Sequence, residues 1–326
     1  MEHLFLILNN FFKKWYLKYI LAKLVARNHF DSITLSNIDY YQHNVPLSTP
    51  IPFYQISIAT KFDSILENLI YVGLDQDFSL CAEKAFSELC EGVFQYQENR
   101  LEGLNRSGIS AHLTFDMAKN KSYLELLERD SFLMHFLCPS LNNTSLELYD
   151  CDLLTLATNK LQSVDAEVMT VITSIYCKVD NVYYIGLASG LSLQPISSLI
   201  QRSQFEATML YNNWTLPKFS CKTKTNTKYS TLLPHLISTQ ELSSQAALKE
   251  IAHGGSDKIL NYLIDKEKLS VMKYKNYKSR SVVQAVHPQL IPLSFGEKWY
   301  QSKEYIQQIL VQRCLTIENW GLHPLL

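Results

Sequence analysis

The sequence predicts an α+β fold of mixed or antiparallel sheets flanked by helices. Three observations predict it. Strand-like runs stand at FYQISIAT (53–60), EVMTVITSIYC (167–177) and NVYYIGLAS (181–189). Segments with helical apolar spacing stand at 79–96, 115–137 and 195–214. The two kinds follow one another without the regular βαβ rhythm of a doubly wound sheet.

The N-terminal stretch MEHLFLILNNFFKKWYLKYILAKLVARNHF repeats its apolar residues every three to four positions, as an amphipathic helix does. Lysines at 13, 14, 18 and 23 break it well short of the roughly 20 apolar residues of a bilayer span, and no small-residue cleavage site follows. It reads as a helix docked on its own domain or on a partner, with a membrane-surface contact as the lesser alternative. NVPLSTPIP (44–52) is an exposed connection. It divides a lead-in, residues 1–43, from the domain proper, residues 44–326. A helix at ILENLI (65–70) and a turn at Gly73 precede the helix from about Ser79 to Tyr96. A helix over Phe115–Leu137 leads to the two long strands and the helix at PISSLIQRSQFEATMLYNNW. CKTKTNTKYS (221–230) is a polar loop, SVVQAVHPQLIPL (281–293) a β-run, and Glu304–Val311 the last helix.

Composition narrows the function classes. The chain has 326 residues, 30 Lys+Arg against 31 Asp+Glu, 47% hydrophobic and 12% aromatic content. That is enough for one large domain or two small ones, and it excludes a disordered, acidic or collagen-like chain. A net charge of -1 argues against a dedicated nucleic-acid binder, although a local basic groove stays open. The seven cysteines are scattered, with no Cys-x-x-Cys pair and no zinc-ligand spacing, so the expectation is a reduced, cytoplasmic protein with no membrane span.

Nucleotide and protease signatures are missing: there is no GxxxxGK, GxGxxG, HExxH or GxSxG. What remains is charge at helical spacing: Glu88 with Glu91, Glu125 with Glu128, and Arg202 with Glu206. Residues three or four apart share a helix face, so each pair can aim two side chains at one point. Carboxylates so arranged suit Mg²⁺, which takes oxygen ligands and bridges to phosphates. On spacing alone, a solvated face remains the stronger reading of any Glu-x-x-Glu helix.

The segment SGISAHLTFDMAKNKSYLELLERDSFLMHFL (107–137) shifts that balance. It resembles the hallmark of the YcaO family, a Gly-rich turn leading into a helix that ends Glu-x-x-Glu-Arg-Asp. Gly108, Ala111, Thr114, Ala118, Glu125, Glu128, Arg129 and Asp130 fall at the family's spacing. GLDQDFSLCAEKAFSELCEG (73–92) and GLASGLSLQPISSLIQRSQFEATM (186–209) look like its first and third blocks, and VHPQLIPLSFG (286–296) is similar to its late strand and turn. The resemblance covers roughly residues 30–326.

The resemblance implies a YcaO-type fold that binds ATP and Mg²⁺ without a P-loop. It assigns Glu88, Glu91, Glu125, Glu128 and Glu206 to the metal, and Arg129, Arg202 and Glu206 to the nucleotide. Ser107 takes the place of a nucleotide-contacting Asn or Thr, and Lys84 is a further candidate for the phosphates. It implies cyclodehydration of Cys, Ser or Thr to an azoline in a ribosomally made peptide. The alternatives are thioamide or amidine formation, or a non-catalytic scaffold subunit. The partners it implies are the precursor peptide and a separate leader-binding protein of the ubiquitin-activating-enzyme-like kind. A flavin dehydrogenase and a second copy of the chain are further candidates. The chain departs from the family at Gly92, where an Arg is usual, at Lys84 for Ser and at Met209 for Gln. Its tail, GLHPLL, carries Pro324 alone in place of a Pro-x-Pro-x-Pro ending. Blander roles fall to the remaining candidates: His112 to a turn, His135 and Phe136 to the core, and Cys90 to a buried apolar position. His323 is not expected to act as a base.

Overall fold

The computed structural model describes residues 2–28, 33–62, 69–98, 108–215, 245–253, 258–291 and 303–318, with side chains from Trp15 in the first helix and as far as Asn212 in the fourth. Ser107, the 221–230 segment, His323 and the GLHPLL tail lie outside the described residues. The elements begin with α1 (Glu2–Arg27), β1 (Ile33–Val45), β2 (Ile51–Phe62), β3 (Leu69–Asp75), α2 (Phe78–Gln97), β4 (Ile109–His112) and α3 (Phe115–Leu137). Then come β5 (Asn143–Asp150), β6 (Leu154–Leu161), β7 (Val168–Cys177), β8 (Val182–Leu191) and α4 (Ile196–Thr215). The chain continues through α5 (residues 245–253), β9 (Ser270–Asn276), β10 (Ser281–Val286) and α6 (Lys303–Gln312).

The strands form three sheets, ordered β1-β2-β3, β4-β10-β9 and β5-β6-β7-β8, and every strand pairing is antiparallel. One isolated parallel bridge joins Leu141 to Lys258. The fold is therefore mixed α+β, as expected. Helix α2 packs on the first sheet, α4 on the third, and α3 between β4 and β10 on one side and β7 and β8 on the other. A core of α3, β7, β8, α5 and α6 residues includes Phe132, Phe136, Ile172 and Leu310, all almost fully buried. A second core joins Leu17 and Leu21 of α1 to the first sheet and to Phe86, Leu89 and Phe94 of α2. At 25 cal/mol per Å² each fully buried Leu or Phe contributes roughly 2 kcal/mol, which is what holds the helices on their sheets.

Local sequence sets the ends of the helices that matter. Asp77 caps α2 by accepting the Leu80 N–H at 2.9 Å, and Thr114 caps α3 by accepting from Met117 N at 3.3 Å. Asp116 in the first turn of α3 complements the helix dipole. Just upstream, Gly108 adopts φ +75°, and a Cβ there would collide with the Ala285 carbonyl. Glycine is thus needed where the chain turns into β4.

Several readings are corrected. Leu69 and Ile70, expected in a helix, open β3, and Gly73, expected in a turn, sits mid-strand opposite Ile56; residues 65–68 of that expected helix lie outside the described residues. A Cβ at Gly73 would overlap the α2 backbone at Cys81 and Ala85, so this glycine serves close helix-on-strand approach and not a turn. NVPLSTPIP is the tip of the β1-β2 hairpin: Asn44 pairs with Pro52 and Val45 with Ile51. The late β-run ends at Val286.

Candidate functional site

Three helices carry the predicted residues: Lys84, Glu88 and Glu91 on α2, Glu125, Glu128 and Arg129 on α3, Arg202 and Glu206 on α4. Each helix is seated by its own strand contact. Gly186 of β8 repeats the device of Gly73, since a Cβ there would overlap Ser203 and Ala207 of α4. The approach brings Glu206 beside the sheet, where its Oε2 accepts the Leu187 N–H at 2.8 Å. Glu91 is held likewise, with Oε1 accepting the Ala111 N–H of β4 at 2.8 Å. Two carboxylates from different helices are thus each fixed by a main-chain donor on a neighbouring strand.

These groups lie close enough to act on one another's ionisation. Burial pushes the Glu125 carboxyl well above the ordinary carboxylate range, Arg129 opposes the shift, and Glu91, Glu88 and Glu128 add to it. Burial likewise lifts Glu206 to about 6, against Arg129, with Glu128 reinforcing it and the Leu187 N–H and Arg202 opposing. Arg129 is the reciprocal case: burial works against its charge, and Glu128, Glu206, Glu125 and Glu88 more than restore it. Its Nη2 stands 3.6 Å from Glu128 Oε1, and among the described residues its buried Nε has no hydrogen-bond partner. Glu128 itself is only 8% exposed. Arg202, more open, rests Nη1 on the Ser189 carbonyl at 3.3 Å.

Lys84 is not brought to this group. Its ammonium donates to Leu74 O at 3.0 Å and to Asp75 Oδ2 at 2.6 Å, which ties it to β3. Asp130, next to Arg129 in sequence, turns instead to Arg313 and is wholly buried. Sequence reasoning missed Lys121, whose ammonium lies 3.7 Å from Glu91 Oε1. Its one signal is the four-residue step to Glu125, which reads as an ordinary surface pair. His112 makes the local contact expected of it, with Nδ1 accepting the Leu113 N–H at 2.8 Å. His135 is fully buried, with Nδ1 against the Ser131 carbonyl and its pKa depressed by burial. Cys90 is fully buried, and burial pushes its thiol pKa far up, so it is no nucleophile. A cleft of about 480 Å³ lies elsewhere, between Lys303, Gln307 and Leu310 of α6 and Leu315–Glu318, and no site residue lines it.

The donor set fits divalent cations joined to a polyanion. Five carboxylates face three cationic groups, Arg129, Arg202 and Lys121, so the site is net negative and a polyphosphate alone would be repelled. Among the described residues no three His, Cys, Asp or Glu side chains are gathered to cage one ion. Mg²⁺ seldom requires such a cage; it keeps several waters and takes one or two carboxylates plus phosphate oxygens. The orphaned Nε of Arg129 offers a donor where such an anion would lie.

Fold and site together define an α+β protein in which three sheet-seated helices carry a largely half-buried, mixed-charge cluster of carboxylates and basic groups. No protein-family model matches the chain, and no curated protein does. Among solved structures it is similar to the structure of YcaO from Methanopyrus kandleri bound with AMPPCP and Mg²⁺, at 13% identity over 84% of this chain and 90% of that one, with a TM-score of 0.48. It is also similar to the E. coli microcin synthetase McbBCD complex with pro-MccB17 bound, at 10% identity over 77% of this chain and 91% of that one, again with a TM-score of 0.48. At these identities and TM-scores the likenesses carry no functional inference. Among the described residues no helix is long and apolar enough to cross a membrane.

Proposed function

We propose that this chain is a YcaO-type enzyme that uses ATP and Mg²⁺ to modify backbone amides of a ribosomally made peptide. The observation that supports this reading is the convergence of Glu88, Glu91, Glu125, Glu128, Arg129, Arg202 and Glu206 from three sequence-distant helices. These are the positions that the resemblance singles out. In this reading the glutamates hold Mg²⁺, and Arg129 and Arg202 meet the phosphates, where a guanidinium fork matches paired oxygens.

When bound, Mg²⁺ and ATP supply a phosphoryl group that makes the amide oxygen a good leaving group. The reaction we favour is cyclodehydration. A Cys, Ser or Thr side chain adds to the preceding amide carbon, the oxygen takes the phosphoryl group, and phosphate departs to leave an azoline. The peptide loses the elements of one water while ATP becomes ADP and phosphate. The chain's part is to position the reactants and to balance charge. Sulfide or an amine in place of the side chain would give a thioamide or an amidine at the same site. The reading calls for a precursor peptide and a separate leader-binding protein as partners.

The test is mass spectrometry of candidate precursor peptides incubated with the purified chain, the leader-binding partner, Mg²⁺ and ATP. A loss of one water per modified residue, matched by ADP and phosphate release and absent without ATP, is expected. Modification that proceeds undiminished without nucleotide would overturn the reading.

A further inference from the structure

Lys121 occupies one end of the carboxylate row. Burial opposes its charge, Glu91, Glu88 and Glu125 restore it, and Arg202 also acts on it. Arg129 stands eight residues further along the same helix, about 12 Å away by helical rise, so the two basic groups are set apart along the cluster. Helix α2 supplies no cation at the Lys121 end. Gly92, the neighbour of Glu91, faces the Tyr71 ring, which any side chain there would overlap.

The contacts of Lys121 differ from those of a structural lysine. Lys84 shows what the latter looks like, with a carbonyl at 3.0 Å and a carboxylate at 2.6 Å. Lys121 makes one ion contact at 3.7 Å, beyond hydrogen-bonding distance, and its side chain remains 43% exposed. Among the described residues none of its three N–H donors has an acceptor. A lysine held charged by carboxylates, partly open to solvent and short of acceptors, is suited to an anionic ligand that arrives with its own oxygens.

We propose that Lys121 contacts the phosphate chain of the nucleotide, at the end of the site away from Arg129. This assignment rests on the nucleotide reading above. A triphosphate spreads its charge over several oxygens in a row, and basic groups at two ends of the site match that spread better than a single phosphate needs.

Isothermal titration of the full chain tests it, with ATP plus Mg²⁺, AMP, and Mg²⁺ alone as probes. Lys121→Ala and Lys121→Gln are expected to weaken ATP binding by about tenfold or more, the scale of a lost charge-assisted contact, while AMP binding changes less than about twofold. Mg²⁺ alone should bind as well or better, because a repelling charge has gone. Lys84→Ala should leave ATP binding unchanged. Wild-type ATP affinity in either folded Lys121 variant overturns the assignment, as does an equal loss for AMP. A wild-type chain that binds Mg²⁺ but no ATP overturns the nucleotide reading as well, so the two failures are distinct.

Discussion

Arg313 forms a two-pronged ion pair with Asp130 across 183 residues of sequence, Nη1 to Oδ2 at 3.0 Å and Nη2 to Oδ1 at 2.8 Å, with neither side chain exposed. The Ile291 N–H also donates to Asp130 Oδ1 at 2.7 Å, and Arg313 Nη2 reaches the Gln289 carbonyl at 2.5 Å. Asp130 thus fastens the helix that carries Glu125 and Glu128 to the C-terminal part of the described chain. Removing one partner strands a buried charge. Arg313→Met should lower stability by about 3 to 5 kcal/mol in denaturant unfolding, and pairing it with Asp130→Leu should recover much of the loss. A single variant within about 1 kcal/mol of wild type would show that the pair bears little of the fold.

Glu125→Gln and Glu128→Gln should abolish Mg²⁺-dependent ATP turnover while leaving the fold intact. Glu125 is a carboxylate that burial and three like-charged neighbours already resist ionising, so its neutral isostere should be no less stable at neutral pH. Circular dichroism and a phosphate-release assay separate the two effects. Normal turnover in both variants would return these residues to a solvated or structural role.

Stability should fall as pH rises through the Glu206 transition. Burial raises this carboxyl from 4.5 to about 6, so the folded chain keeps a proton that the unfolded chain has already released. The contribution is complete below about 4.5 and is lost as pH passes about 6. The loss amounts to about 2 kcal/mol. Thermal unfolding from pH 4.5 to 7 should show the decline, Glu206→Gln should lessen it and leave the part that the raised Glu125 carboxyl contributes, and Mg²⁺ should offset it above pH 6. A wild-type slope retained in Glu206→Gln would assign the decline to another group.

Arg202→Ala should weaken ATP by roughly tenfold to a hundredfold, for a lost charge-assisted contact of about 1.5 to 3 kcal/mol. The competing account makes Arg202 an exposed partner of Glu206 one turn away, worth only about 0.3 to 0.5 kcal/mol of stability. Among the described residues its guanidinium donates to the Ser189 carbonyl at 3.3 Å, a long and therefore weak tether. Nucleotide titration with Mg²⁺ decides, and unchanged affinity would place α4's arginine outside the site.

Helices and buried strands were legible where local pattern and burial agree. Helix α3 begins and ends where its spacing predicts because Thr114 caps it and its second half is buried on nearly every side. Strands β7 and β8 are buried along nearly their whole length and so read as continuous apolar runs. Among the strands missed, β9 is exposed or half-exposed throughout, β1 carries Asn37, Asp39 and Gln42 among its apolar residues, and β4 is only four residues long. Strand β3 was obscured by a glycine whose reason lies in another element, the α2 backbone. The glutamates were legible because helical spacing is local. Lys121 and the Asp130–Arg313 pair were not, because their partners come from distant parts of the chain.

The main-chain bonds to Glu91 and Glu206 bear on ion selectivity. Each carboxylate has one oxygen engaged by a strand amide, Ala111 for Glu91 and Leu187 for Glu206, which fixes its orientation and favours ligation of an ion through the other oxygen. Single-point ligation suits a small octahedral cation that fills its other positions with water and phosphate oxygen. It penalises calcium, whose larger coordination shell is commonly completed by a carboxylate clasping with both oxygens. Discrimination between the two ions would then reside in two strand amides, which no side-chain substitution at those strand positions removes except proline.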